Sequence, residues 1–332
     1  MRIRCTPPEK RDTPGQHGAA DGWISAWLAG LLLLVPGAAQ PGGFAANAPA
    51  AIEPPAMSPR QVAPPQAPRP GDRLALEESG VPVILWLPAG CDAPQNHGRL
   101  AVHFHTADWL AIEEHSRAGY TFPLAAIYLG AGSSRYRAPF EDPGTWTRLI
   151  ARIEAELKKR DADWPAITWI DVSSFSAGYG AVRELVQQPA AREKIRRIVL
   201  SDSLYGGLAQ DPERPNARRV EPDHIRSWEW FARAAMRGEK VFVLTHSAIP
   251  TQSYASTFEC AAALADALGV KSAPAAHASC PAAADPRYPL RTRLDARNLH
   301  IWGYAGEDAE AHLVHPRHLA DVWRSIDSFT AR

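Results

Sequence analysis

The stretch "WIDVSSFSAGYGAVREL", residues 169–185, passes from an apolar, β-prone run into a helix-forming one. Ser176 stands at the junction, with Ser174 two residues before it and Gly178 and Gly180 after it. A strand followed at once by a helix needs a sharp turn. Small side chains on either side of the central residue leave room for the neighbouring strand and helix to approach. Ligands of parallel sheets bind at the carboxyl ends of strands, so this turn holds a hydroxyl where a ligand would lie.

Outward from that turn, similar apolar runs recur: 81–88, 99–106, 124–132, 166–174, 195–203, 240–247 and 298–306. Most are continuous rather than alternating, as in strands buried on both faces of a mostly parallel sheet. Helical segments separate them. In 145–160, Trp146, Leu149, Ile150, Ile153 and Leu157 form one apolar stripe. Segments 225–238 and 258–269 are amphipathic and end at glycine, and 315–329 is expected as a final helix. The alternation predicts an α/β domain with a doubly wound, mostly parallel sheet flanked by helices over residues 72–332.

The residues before that domain read differently. "WISAWLAGLLLLV", residues 23–35, is shorter than the roughly 20 apolar residues of a membrane span. It fits the apolar region of a secretory signal, with Gly37 and Ala39 spaced for cleavage after Ala39. Residues 1–39 are therefore expected as a signal peptide, with a start codon that lies further downstream as one option and an uncleaved anchor as another. Export to the periplasm or medium follows, with no stable span in the mature form. Residues 40–71 are rich in Pro and Ala and are expected as an extended, disordered linker.

Lys and Arg total 36 and Asp and Glu total 36, so the net charge is zero and no basic field points to nucleic acid. The mature chain keeps Cys91, Cys260 and Cys280, and Cys260–Cys280 is the more plausible pair. No zinc-type cysteine spacing occurs, and the reading requires no metal and no cofactor.

Ser174-Phe175-Ser176-Ala177-Gly178 resembles the nucleophile turn of the α/β-hydrolase superfamily, with Ser174 where glycine is usual. The resemblance covers about residues 80–330 and implies a serine nucleophile, Ser176. It also implies an oxyanion hole from the N–H of Ala177 and of the loop after an earlier strand. Here that loop reads His105-Thr106-Ala107 instead of opening His-Gly, which nominates Thr106 or Ala107 as second donor. One such donor is worth about 100- to 1000-fold in rate. The base is implied after the last strand, where His312, His315 and His318 stand; His312, on the loop before the final helix, is favoured, and His315 marks the helix start. The superfamily usually takes its acid after the penultimate strand, but "THSAIPTQSYASTFE" has no aspartate and offers only Glu259. Asp202, at the end of the strand before, is preferred, giving the chain order Ser176, Asp202, His312.

His105, Tyr205, His246, Gln252 and Tyr254 are expected to bind substrate, with Ser253, Ser134, Arg135, Tyr136, Asp108 and Trp109 nearby. The expected activity is that of a secreted carboxylic ester hydrolase, acting on a small-molecule or polymer-linked ester through an acyl-enzyme. Two other readings stand beside it. His103 and His105, together with the three late histidines, suggest a metallohydrolase. A hydrolase-like fold used only for binding is the other.

Overall fold

The computed structural model describes residues 53–330, apart from 59, 66, 68, 211–217 and 276–284, with side chains to 327. The expected signal peptide, much of the expected linker and Cys280 lie outside the described residues, and the Cys260–Cys280 pairing lies outside them too. Cys260 itself is buried.

Ten strands form one sheet, in the order β1-β2-β4-β3-β5-β6-β7-β10-β9-β8. The strands are β1 (Gly71–Glu78), β2 (Val81–Pro88), β3 (Arg99–Phe104), β4 (Leu124–Ile127) and β5 (Trp169–Phe175), followed by β6 (Ile195–Ser201), β7 (Val241–His246), β8 (Ala273–Pro274), β9 (Leu290–Ala296) and β10 (Leu299–Tyr304). From β4 through β3, β5, β6 and β7 to β10 all neighbours are parallel, and the pairs at both edges are antiparallel. All seven apolar runs are strands of this sheet, as expected. Of the three strands without a matching run, β1 and β8 are the edges and β9 is next to one. β1 and β9 are largely half-exposed and carry charged residues, so they lack a continuous apolar signature.

Successive residues of the central strands feed two different cores. Ile198, Leu200, Phe242, Leu244 and Ile301 face one side. Val199, Val243 and Trp302 face the other. The first side is covered by α2 (Ser133–Phe140), α3 (Pro143–Arg160), α4 (Tyr179–Leu185), α5 (Pro189–Lys194), α6 (Pro222–Arg237) and α7 (Thr257–Leu268). The second is covered by α1 (Asp108–Arg117), α8 (Ala309–Arg317) and α9 (Leu319–Thr330). The α3 stripe read from the sequence is buried along its whole length. Each Leu or Ile so buried contributes about 1.5–3 kcal/mol.

The carboxyl-terminal helix differs from expectation. It is two helices, and the first begins at Ala309 because the Asp308 side chain caps the Ala311 N–H at 2.7 Å. His312 therefore sits within α8 rather than on a preceding loop. His315 does not start a helix but is buried near the end of α8. Pro316 cannot be followed by a regular continuation over the His312 carbonyl, and the chain restarts as α9.

The proline-rich segment has no helix or strand among its described residues before β1. Part of it nevertheless lies on the domain. Met57 is 0% exposed, in the core between β10 and α9. The Pro55 carbonyl accepts the Tyr304 hydroxyl at 2.8 Å, and Arg60 pairs with the buried Glu114. Composition describes the average of such a segment and misses the single apolar side chain that anchors it.

The chain lays β4 on one side of β3 and then β5 on the other. The crevice over the carboxyl ends of β3 and β5 is the switch point of the sheet, where ligands bind in open α/β folds.

Candidate active site

Ser176 directly follows the last residue of β5 and has φ of 47°. A short 3-10 turn, Ser176–Gly178, leads from it into α4. A left-handed L-residue costs roughly 1–2 kcal/mol, so the surrounding contacts must enforce the turn. Two glycines show how. A Cβ on Gly178 would stand 2.6 Å from the Phe104 carbonyl oxygen, and one on Gly180 would stand 2.3 Å from that of Ser133. Only glycine lets α4 approach β3 and α2 so closely.

Ser174, the unusual member of the motif, is fully buried and lies 2.8 Å from the Ser203 hydroxyl. Ser203 Oγ donates to the carbonyl of Ser176 at 2.9 Å. That commits its proton, so Ser174 Oγ must be the donor to Ser203. The Ser174 hydroxyl thereby ties the β5 turn to the turn after β6, which glycine could not do.

Of the four other described non-glycine residues with left-handed backbone, two stand at the carboxyl ends of the strands that flank β5. His105 follows β3 with φ of 68°, and Asp202 follows β6 with φ of 44°. The three adjacent strands β3, β5 and β6 thus end in three forced turns side by side.

Asp202 is fully buried. Its carboxylate accepts from His312 Nδ1 at 2.7 Å, the Ser247 N–H at 3.0 Å, the Ser247 hydroxyl at 2.8 Å and the Thr257 hydroxyl. Burial alone would raise its pKa. The nearby His315 and His312 imidazoles, with the hydrogen bonds from His312 and Thr257, outweigh burial and hold it well below the usual carboxylate range. An ionised Asp202 accepts a hydrogen bond from the Nδ1–H of His312, which leaves Nε2 of the neutral ring as the acceptor.

The His312 ring rests on Phe175, the neighbour of Ser176, with centroids 4.4 Å apart. No hydrogen bond joins Ser176 Oγ to His312 among the described residues; catalytic contacts of this kind commonly close when substrate binds.

The other candidates for acid and base are engaged elsewhere. Glu259 completes a capping box with Ser256 at the start of α7 and forms a bidentate pair with Arg218 at 2.7 and 3.0 Å. Burial opposes its charge, but Arg218 and Ser256 push its pKa down to about 2. His315 is buried, bonded at Nδ1 to the Thr245 hydroxyl at 2.8 Å, and burial pushes it down to about 4. His318, the third histidine after the last strand, is also buried and bridges Asp321 and Ser58. His103 bonds the Ser173 hydroxyl at 2.8 Å, and burial pushes it down to about 3. The left-handed turn at His105 takes that residue out of the strand register it was expected to share with His103. Among the described residues, no group of three or more His, Cys, Asp or Glu side chains is placed to hold a metal ion.

Thr106 and Ala107 form the short loop between β3 and α1, where their N–H groups meet no acceptor among the described residues. The Thr106 hydroxyl is buried and has no partner there either. Ala177 lies in the first turn of the 3-10 segment, whose leading N–H groups have no intrahelical partner.

Around this centre, His105 Nδ1 is hydrogen-bonded to the Tyr136 hydroxyl, 2.8 Å away, and that hydroxyl also accepts the Leu129 N–H at 2.9 Å. Burial, reinforced by His312, pushes the His105 pKa down to about 4. Tyr205 packs between Tyr179 and Tyr254, with centroids 5.7 and 5.6 Å apart. Gln252 and Ser253 are exposed, and the Gln252 carbonyl binds Arg218 at 3.0 Å. His246 bonds the Ser247 carbonyl at 3.0 Å and lies beside Gly303 of β10. Arg73 pairs with Asp108 at the first turn of α1.

Ser203, Ser247, Thr257, Phe175 and Tyr179 belong to this neighbourhood but were not picked out from the sequence. All five stand within three residues of a candidate in the sequence. That Ser247 and Thr257 meet Asp202, however, is decided only by tertiary folding.

No protein-family model matches the chain, and no curated protein matches it by sequence. Among solved structures it is similar to an uncharacterised protein from Capnocytophaga ochracea DSM 7271, at 9% identity and TM-score 0.43, covering 76% of this chain and 64% of that one. It is also similar to an esterase of Pyrobaculum calidifontis, at 10% identity and TM-score 0.42 over 79% of this chain and 85% of the other. The feruloyl esterase module of Clostridium thermocellum shows 11% identity and TM-score 0.44 over 82% and 94%.

Proposed function

We propose that the protein is an exported serine hydrolase that cleaves carboxylic esters through Ser176, His312 and Asp202. The observation that carries this reading is the 2.7 Å bond from His312 Nδ1 to the buried Asp202 carboxylate, with the imidazole lying on the residue next to Ser176.

The chemistry follows from the proton inventory. His312 Nε2 removes the Ser176 hydroxyl proton as Oγ bonds to the ester carbonyl carbon. The negative charge that forms on the carbonyl oxygen is met by the Ala177 N–H and by the N–H of Thr106 or Ala107. Collapse of this intermediate breaks the bond to the alcohol oxygen, which leaves with the proton from His312. Water then attacks the acyl-serine, giving its proton to His312; release of the carboxylic acid returns the proton to Ser176. Asp202 stays ionised throughout and steadies the imidazolium that appears twice. Residues 1–39 support export, and no helix among the described residues is long and apolar enough to cross a membrane.

Ser176→Ala should abolish turnover of p-nitrophenyl acetate and labelling by a fluorophosphonate probe, with unchanged thermal unfolding. A wild-type protein that neither reacts with the probe nor cleaves any acyl ester would overturn the reading.

A further inference from the structure

Of the large apolar side chains among the described residues, Tyr128 is the most exposed, at 55%. It follows β4 immediately, next to the end of β3. One face of its ring is stacked on His105, with centroids 5.6 Å apart and planes 20° apart. His105 is in turn stacked on Phe175 at 5.8 Å and 19°, and Phe175 carries His312. Two side chains, His105 and Phe175, thus link an exposed aromatic platform to the proposed base. The Tyr136 bond to His105 keeps the platform's support from turning.

Tyr128 also forms one wall of an open cavity of ≈ 470 Å³. Its floor is apolar, from Leu76, Ile84 and Ala126, and Ala107 of the proposed oxyanion loop borders it. Arg73 and Asp108 stand at its rim as an ion pair, with side chains 56% and 24% exposed. The volume lies within the about 300–1,000 Å³ usual for small-molecule sites.

We infer that this groove is a carbohydrate subsite, in which Tyr128 stacks on a sugar ring of the substrate while Arg73 and Asp108 bind its hydroxyls. The inference rests on the ester-hydrolase reading only in making that sugar the bearer of the ester. A pyranose ring offers axial C–H groups to an aromatic face and hydroxyls at its edge. Each hydroxyl both donates and accepts, so a guanidinium that only donates beside a carboxylate that only accepts satisfies both functions. A long alkyl chain would strip water from the same ion pair with no return, and the groove is open rather than a tunnel. An unsubstituted aryl group would use Tyr128 and leave the pair without a role.

The test is binding and turnover in the full-length protein. Xylo-, cello- and manno-tetraose are titrated calorimetrically into Ser176→Ala and into Ser176→Ala with Tyr128→Ala. At least one sugar should bind the first, and the affinity should fall tenfold or more in the second. Arg73→Ala should weaken binding severalfold, and Tyr128→Phe, which keeps the platform, should restore it. In the Ser176 background, kcat/KM for a mono-O-acetylated methyl glycoside, which keeps its other hydroxyls free, relative to p-nitrophenyl acetate should fall about tenfold in Tyr128→Ala, through KM. Absence of binding by all three sugars overturns the inference. So does an unchanged ratio in Tyr128→Ala while Ser176 still reacts with the fluorophosphonate. Sugar binding that depends on Tyr128 in a protein whose Ser176 is unreactive would uphold the groove and remove the hydrolase reading.

Discussion

β5 carries the proposed nucleophile at one end and a charge cluster at the other, and each end has a buried carboxylate beside it. At the amino end, Asp171 accepts the Trp169 indole N–H at 2.7 Å and faces Arg99 at 3.4 Å and Arg197 at 3.8 Å. Burial dominates there, and its pKa is raised despite both arginines. Beside the carboxyl end, Asp202 is buried at least as deeply, yet its pKa is lowered. The difference is what surrounds the charge: the His315 and His312 imidazoles lie beside Asp202, and His312, Ser247 twice and Thr257 all donate to it. A loosely paired carboxylate loses the hydration of its charge, whereas one ringed by donors has that hydration replaced. Only the second kind can steady an imidazolium.

The largest test of that contrast exchanges both carboxylates for amides. Asp202→Asn should lower kcat by about 10⁴-fold, the loss seen when the acid of a serine triad is neutralised and the imidazole tautomer is lost. Asp171→Asn should leave kcat unchanged and lower the unfolding free energy by about 1–3 kcal/mol. Steady-state kinetics and urea unfolding of the two variants decide it; equal kinetic losses would mean that the two ends are not distinct.

A smaller effect sharpens the role of the donors. Thr257→Val removes one hydrogen bond to Asp202 while keeping the side-chain shape, and kcat should fall about tenfold, as for a loss near 1.4 kcal/mol. Glu259→Gln, on the same helix but held by Arg218 and Ser256, should leave kcat unchanged and cost about 1 kcal/mol of stability through the weakened cap. If Glu259→Gln were the damaging change, the acid would belong to α7 instead.

The mildest test concerns pH. His103, His115 and His315 are buried, and burial pushes their pKa values down to about 3, 4 and 4. Unfolded histidine binds a proton near pH 6.5, so between there and about pH 4 the unfolded chain holds more protons than the folded one. Stability should therefore be full above pH 6.5 and decline toward pH 4, by at most about 1.4 kcal/mol per pH unit for each histidine. Thermal unfolding across that range measures it. In His315→Gln the slope should be shallower by up to one histidine's share, and an unchanged slope would show that His315 does not contribute.

Much of this was legible along the chain. The continuous apolar runs marked the interior strands, because a strand covered on both faces admits few polar residues. The Ser176 turn was legible because steric room around a sharp turn is a property of adjacent residues. The strands at and next to the edges were not, since β1 and β9 meet solvent and tolerate charge. The start of α8 was missed even though its signal, Asp308 before a helical run, is local; the later Pro316 drew the boundary instead.

The sequence by itself determined the order of the elements, the small residues that let a serine stand at the end of β5, and the three candidate residue types in chain order. Tertiary structure decided which of them meet. His312 and Asp202 are 110 residues apart, and they pair because β7 and β10 are laid in sequence beside β6, bringing α8 over the end of the sheet. The same arrangement takes His315 into the core, and the pairing of β4 with β2 and β3 takes Tyr128 to the edge of a groove. Turn sterics and apolar period act between near neighbours, while the choice of a carboxylate's donors depends on what distant strands carry to it.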